Sequence, residues 1–145
     1  MVFSYAISVQ QKQNKRIFRM NKNILVLSVK RKKLAIDTKI LFYNPNPVSA
    51  IVGEATIIDI RYEKAEAILC KHTETIQTLD ELKNYLRESP IEYTGKRNRL
   101  NKLFTVITFE NTNLYNKPIK LHRSMNPTGL YIQKFEYDNL VKNMQ

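Results

Sequence analysis

Cysteine is almost absent from this chain. Cys70 is the only one in 145 residues, so neither an internal disulfide nor a cysteine-based zinc site can be built. Glycine and proline are scarce as well, at three and five residues, whereas a long disordered or low-complexity region would be richer in both. Apolar runs stay well short of the roughly 18–20 residues that a membrane-spanning helix needs, so no membrane partner is expected. Residues 1–6 carry neither a basic leader nor an extended apolar stretch, so no secretory signal is expected and the cytoplasm is the expected location. His72 and His122 stand far apart without Cys/His spacing, and no metal site is expected. Glycine-rich phosphate loops and nucleophile elbows are missing too, which argues against an NTPase, a kinase or a serine hydrolase. No cofactor is expected.

What the chain does have is positive charge, unevenly spread. Twenty-four Lys and Arg face 13 Asp and Glu, for a formal net charge of +11. Residues 1–39 hold ten of the basic side chains against one acid, Asp37. Residues 40–91 are acidic on balance, and residues 92–145 basic again. Clustered Lys and Arg release counterions when they meet phosphates, so such a block predicts salt-dependent binding of a polyanion. RNA or a nucleotide is the expected partner, and a merely solvated basic face is the alternative. A hydrophobic content of 43% is ordinary for a globular protein, and one domain over residues 1–145 is expected. Oligomeric state is not legible.

Along the chain, residues 2–9 read as a first strand and residues 11–22 as a short polar helix. Ile17 and Met20 would anchor that helix, leaving Lys12, Lys15, Arg16 and Arg19 outward. Residues 24–29 form a continuous apolar run, as in a strand buried on both sides. The charged connection Lys30-Arg31-Lys32-Lys33 follows, then a strand at 39–43 closed by Asn44-Pro45-Asn46-Pro47. Residues 49–60 read as a central strand. With period two, one face carries Ile51, Gly53, Ala55 and Ile57, and the other Val52, Glu54, Thr56, Ile58 and Ile60. Gly53 marks a bulge or bend. Residues 63–72 and 78–88 read as helices, the second opened by the capping box Thr78-Leu79-Asp80-Glu81. A strand is expected at 102–109, and a separate edge strand at 114–121 interrupted by Pro118. A turn at 127–129, a short strand at 130–133 and a final helix bearing Tyr137, Leu140, Val141 and Met144 complete the inventory.

The segment Leu41-Phe42-Tyr43, turning into Ile51-Val52-Gly53-Glu54-Ala55-Thr56-Ile57, resembles the PUA-like superfamily, and within it the ASCH and EVE branch of small domains. The later LDELKNYL at 79–86 and LFTVITFEN at 103–111 are similar to archaeal ASCH-like proteins. The resemblance implies an α+β fold: a PUA-like mixed-sheet pseudo-barrel of about five or six strands with short flanking helices. It also implies a basic cleft between the first helix and the barrel that binds RNA or a modified nucleotide. Some ASCH relatives are amidohydrolases acting on an acylated nucleoside through a lysine, a threonine and a glutamate. Lys22 falls at the lysine position and Glu54 on the Gly-Glu of the central strand. Asn23 stands at the threonine position, and the following strand, Ile24-Leu25-Val26-Leu27, lacks the glutamate.

Lys22 and Glu54 are therefore the weak catalytic candidates, and whether the chain is an enzyme stays open. Glu54 could act as a general base or hold the amino edge of a base; a bulge could instead turn it to solvent or into a structural ion pair. Tyr43 could stack on a base at a groove rim or pack in the core. The nucleic-acid-binding candidates are Lys12, Lys15, Arg16, Arg19, Lys22, Lys30, Arg31, Lys32, Lys33 and Tyr43, with Lys96, Arg97 and Arg99 as a second basic cluster. A basic module that docks an acidic protein is the remaining alternative.

Overall fold

The computed structural model describes residues 3–19, 23–27, 34–64, 67–68, 103–121, 123–125 and 129–142. Their apolar runs become strands. In chain order these are β1 (Ser4–Ser8), β2 (Ile24–Leu27), β3 (Lys39–Asn44), β4 (Ala50–Lys64), β5 (Leu103–Ile119) and β6 (Leu130–Ile132). A 3₁₀ turn at Gln11–Gln13 leads into the short helix α1 (Asn14–Phe18), and helix α2 (Lys134–Lys142) follows β6.

The strands form one six-stranded sheet in the order β2-β5-β4-β3-β1-β6. β1 runs parallel to β3, while the β1/β6, β2/β5, β3/β4 and β4/β5 pairs are antiparallel. The sheet is thus mixed. Among the described residues its outer strands, β2 and β6, do not pair, so it is not a closed barrel.

Each face of the sheet buries its own cluster. One gathers Tyr5, Ile7, Ile17, Ile40, Phe42, Ile57 and Phe109, among others, and carries α1. The second gathers Ala6, Leu41, Ile51, Tyr115, Ile119, Ile132 and Leu140, and carries α2. The alternation of β3 supplies both: Ile40 and Phe42 point one way, Leu41 the other.

β4 breaks that alternation, and the break matters for the site. Its register against β3 shifts between Phe42 and Tyr43, and against β5 between Ile51 and Gly53. This is the bulge expected at Gly53, and it moves residues between faces. Val52 joins the α1 cluster together with Ala55 and Ile57, while Ile51 joins the α2 cluster. Uniform period two had set Ile51 with Gly53 and Val52 with Glu54. A further shift between Ile57 and Asp59 lets Ile60 pack on the α1 side, not with Glu54.

Other boundaries moved too. β4 continues through Glu63 and Lys64, where a helix was expected, because Arg61 to Lys64 stay paired with Leu103 to Val106 of β5. β5 is one 17-residue strand running through Pro118, not two. The first helix is shorter than residues 11–22, with Phe18 beside Ile17 as its apolar footing. The helix at 78–88 with its capping box, Met20, Cys70, His72, His122 and Met144 lie outside the described residues, as do residues 65–66 and 69–72 of the helix expected at 63–72. Of the turn at 127–129 only Gly129 is described. Its φ of 100° lies in the left-handed region, and a Cβ there would run into the Tyr5 hydroxyl.

Candidate functional site

The basic segment is fixed by amides rather than by charges. Asn14 Nδ2 donates to Asn44 Oδ1 at 2.6 Å, and Asn44 Nδ2 donates to Asn14 Oδ1 and to the Val9 carbonyl, both at 3.0 Å. Ile17 is fully buried beneath this pair. Phe18 meets Phe42 edge-on, ring centroids 5.6 Å apart, and Phe42 meets Phe109 at 5.4 Å. Phe42 is thereby a core residue. With that footing, Lys12, Lys15, Arg16 and Arg19 are all exposed. Among the described residues no carboxylate pairs with any of the four, whereas Arg61, Arg123 and Lys134 each have one. In the same segment, Gln13 Oε1 is buried without a hydrogen-bond partner among the described residues.

Gly53 lets α1 come this close. A Cβ on it would lie 2.6 Å from the Asn113 carbonyl oxygen and 2.5 Å from Phe18 Cζ. The next residue, Glu54, points to the other face, where its environment is quite different. Tyr137 of α2 donates its hydroxyl to Glu54 Oε2 at 2.6 Å. Lys39 Nζ stands 3.6 Å from the same oxygen, and the Glu54 side chain is 13% exposed. Lys39 Nζ also lies 5.7 Å from the centroid of the Tyr137 ring, which packs on Phe3 at 5.0 Å. Burial, and then the Glu54 charge, push the Tyr115 hydroxyl well above its ordinary range. Burial, and then the hydrogen bond to Glu54, do the same for Tyr137. Both tyrosines therefore stay neutral, so Glu54 sits among hydroxyl and ammonium donors.

The structure thus groups Lys12, Lys15, Arg16 and Arg19 on one segment, and gathers Glu54, Lys39, Tyr115 and Tyr137 in another cluster. It does not bring α1 and Glu54 to one face: Phe18 covers Gly53 from one side, and Tyr137 meets Glu54 from the other. Tyr43 is half-buried against the α2 cluster, so it shares the Glu54 side of the sheet. Lys22, Lys30, Arg31, Lys32, Lys33, Lys96, Arg97 and Arg99 lie outside the described residues. Lys39, Tyr115 and Tyr137 escaped the sequence reading because nothing local marks them. Tyr137 is 83 positions from Glu54, and Lys39 reaches it only through the β3/β4 register, in which Leu41 faces Glu54. No group of three or more His, Cys, Asp or Glu able to hold a metal occurs among the described residues. Nor is any described helix long and apolar enough to cross a membrane.

This mixed sheet, with a short basic helix on one face and the C-terminal helix on the other, is an architecture seen before. ASCH from Zymomonas mobilis superposes with a TM-score of 0.73 at 17% identity, over 97% of this chain and 94% of that one. The N-terminal domain of Staphylothermus marinus McrB superposes with a TM-score of 0.58 at 11% identity, over 98% and 94%. The fold is that of an ASCH/PUA-like small domain. In sequence, residues 3–134 match the family described as a domain of unknown function, DUF365, and the chain belongs to that family. An uncharacterized protein of Methanocaldococcus jannaschii is 29% identical over 108 residues, 73% of this chain and 99% of that protein.

Proposed function

We propose that the chain is an RNA- or modified-nucleotide-binding module whose α1 segment meets phosphates. One observation carries this reading: Lys12, Lys15, Arg16 and Arg19 are exposed on one rigidly seated segment, with no carboxylate partner among the described residues. Unpaired cations held in place attract a polyanion without first breaking ion pairs, and each phosphate neutralised releases counterions. The ASCH/PUA-like fold agrees with this reading. Lys22, Lys30, Arg31, Lys32, Lys33, Lys96, Arg97 and Arg99 would extend the footprint, and Tyr43 would offer a ring to a base on the opposite side of the sheet.

Fluorescence anisotropy with a short single-stranded RNA tests the proposal. Replacing Lys15, Arg16 and Arg19 together by Glu is expected to abolish binding while the circular dichroism spectrum stays unchanged. RNA affinity indifferent to that triple change would refute the role of α1. Nuclease-resistant capture of an acidic protein, without RNA binding, would instead favour a protein-docking role.

A further inference from the structure

The cluster around Glu54 has a hydrogen-bonding pattern that fits one nucleobase better than the others. Its carboxylate can only accept. Lys39, 32% exposed at its side chain and 3.6 Å away, can only donate. The Tyr137 hydroxyl steadies the carboxylate from α2, at 2.6 Å. A carboxylate has two oxygens side by side, so it is best matched by two adjacent N–H groups. Of the four common bases, only guanine presents these, at N1 and N2, with the O6 acceptor next to them for an ammonium. Adenine and cytosine would set a bare ring nitrogen against the second carboxylate oxygen. Uracil flanks its single N–H with two carbonyl oxygens. Hydrogen bonds to charged partners are the strong ones, and a half-buried site built around them rejects ligands that leave them unpaired.

We propose that Lys39 and Glu54, held in place by Tyr137, form a recognition site for the Watson–Crick edge of guanine. This rests on the nucleic-acid or nucleotide reading above and narrows it. Because α1 and Glu54 occupy opposite faces, the site takes either a free guanine nucleotide or a base whose own phosphate is not one of those met by α1.

Two series of ligands separate the possibilities. The first is GMP, IMP, AMP, CMP and UMP, each titrated into the wild-type protein by calorimetry. GMP is expected to bind roughly 5- to 100-fold more tightly than AMP, CMP or UMP. IMP, which lacks the N2 amino group, should fall between. Glu54→Gln replaces one acceptor oxygen by a donor and should erase the preference, while Lys39→Met should weaken GMP and IMP together. If Glu54→Gln fails to fold by circular dichroism, the wild-type series decides alone. The second series is labelled homopolymeric oligoribonucleotides. Binding that depends on α1 but ignores base identity overturns the guanine site and leaves the RNA reading intact. GMP preference without oligonucleotide binding supports a free-nucleotide site. No binding in either series overturns both.

Discussion

At Gly53 the backbone and α1 approach so closely that no side chain fits between them. The obstruction includes a main-chain atom, the Asn113 carbonyl oxygen, which would stand 2.6 Å from an added Cβ and cannot rotate away. Gly53→Ala is therefore expected to destabilise the protein by about 1–3 kcal/mol, as overpacking of a tight core does. Urea denaturation measures this, and an unchanged midpoint would contradict it. Near the next residue, Glu54, burial of the Tyr115 and Tyr137 hydroxyls gives the protein an alkaline limit, to which the Glu54 carboxylate adds. The Tyr115 and Tyr137 hydroxyls titrate above their ordinary value of 10.0 in the folded chain. In the unfolded chain they ionise near that value, so the unfolded state gains from deprotonation first. Their contribution is full below about pH 10 and is lost as pH rises beyond it. Stability followed from pH 8 to 11 should fall at the upper end, and less steeply in Tyr137→Phe.

Helix α1, five residues long, is far below the roughly 12–15 residues at which an isolated helix is even marginal. It exists because Asn14 and Asn44 clasp it to the end of β3 and Ile17 is buried beneath. Asn44→Ala leaves the Val9 carbonyl and the Asn14 amide without their partner. It should cost about 1–3 kcal/mol and weaken RNA binding more than its lost charge, which is nil, would explain. Denaturation and anisotropy on the same sample test both effects. The strands were readable because continuous apolar runs such as Ile24 to Leu27 leave few alternatives. The end of β4 was not, since Arg61-Tyr62-Glu63-Lys64 has no strand pattern of its own and is held by pairing with β5. Pro118 made one strand look like two. The bulge was visible in Gly53, but its effect on which side chains share a face was not carried along the strand. The basic face of α1 was legible from spacing. The Glu54 cluster was not, because it is assembled by register and by a helix 83 positions away.

Across the whole molecule, an ASCH/PUA-like sheet separates two chemically distinct faces. On one, cations without a carboxylate partner among the described residues accompany a tight aromatic core; on the other, a carboxylate meets donors from β3 and α2. The net charge of +11 comes mostly from the first 39 residues, and Lys12, Lys15, Arg16 and Arg19 of that block are exposed together on the α1 side. The central claim is that these four cations serve binding to nucleic acid. Its most direct test is the salt dependence of wild-type affinity for a single-stranded RNA. The logarithm of the association constant should fall linearly with the logarithm of salt concentration, with a slope of about −0.7 for each phosphate contacted. For Lys12, Lys15, Arg16 and Arg19 together that is a slope of about −3. A flat line, or no binding at low salt, would contradict the account.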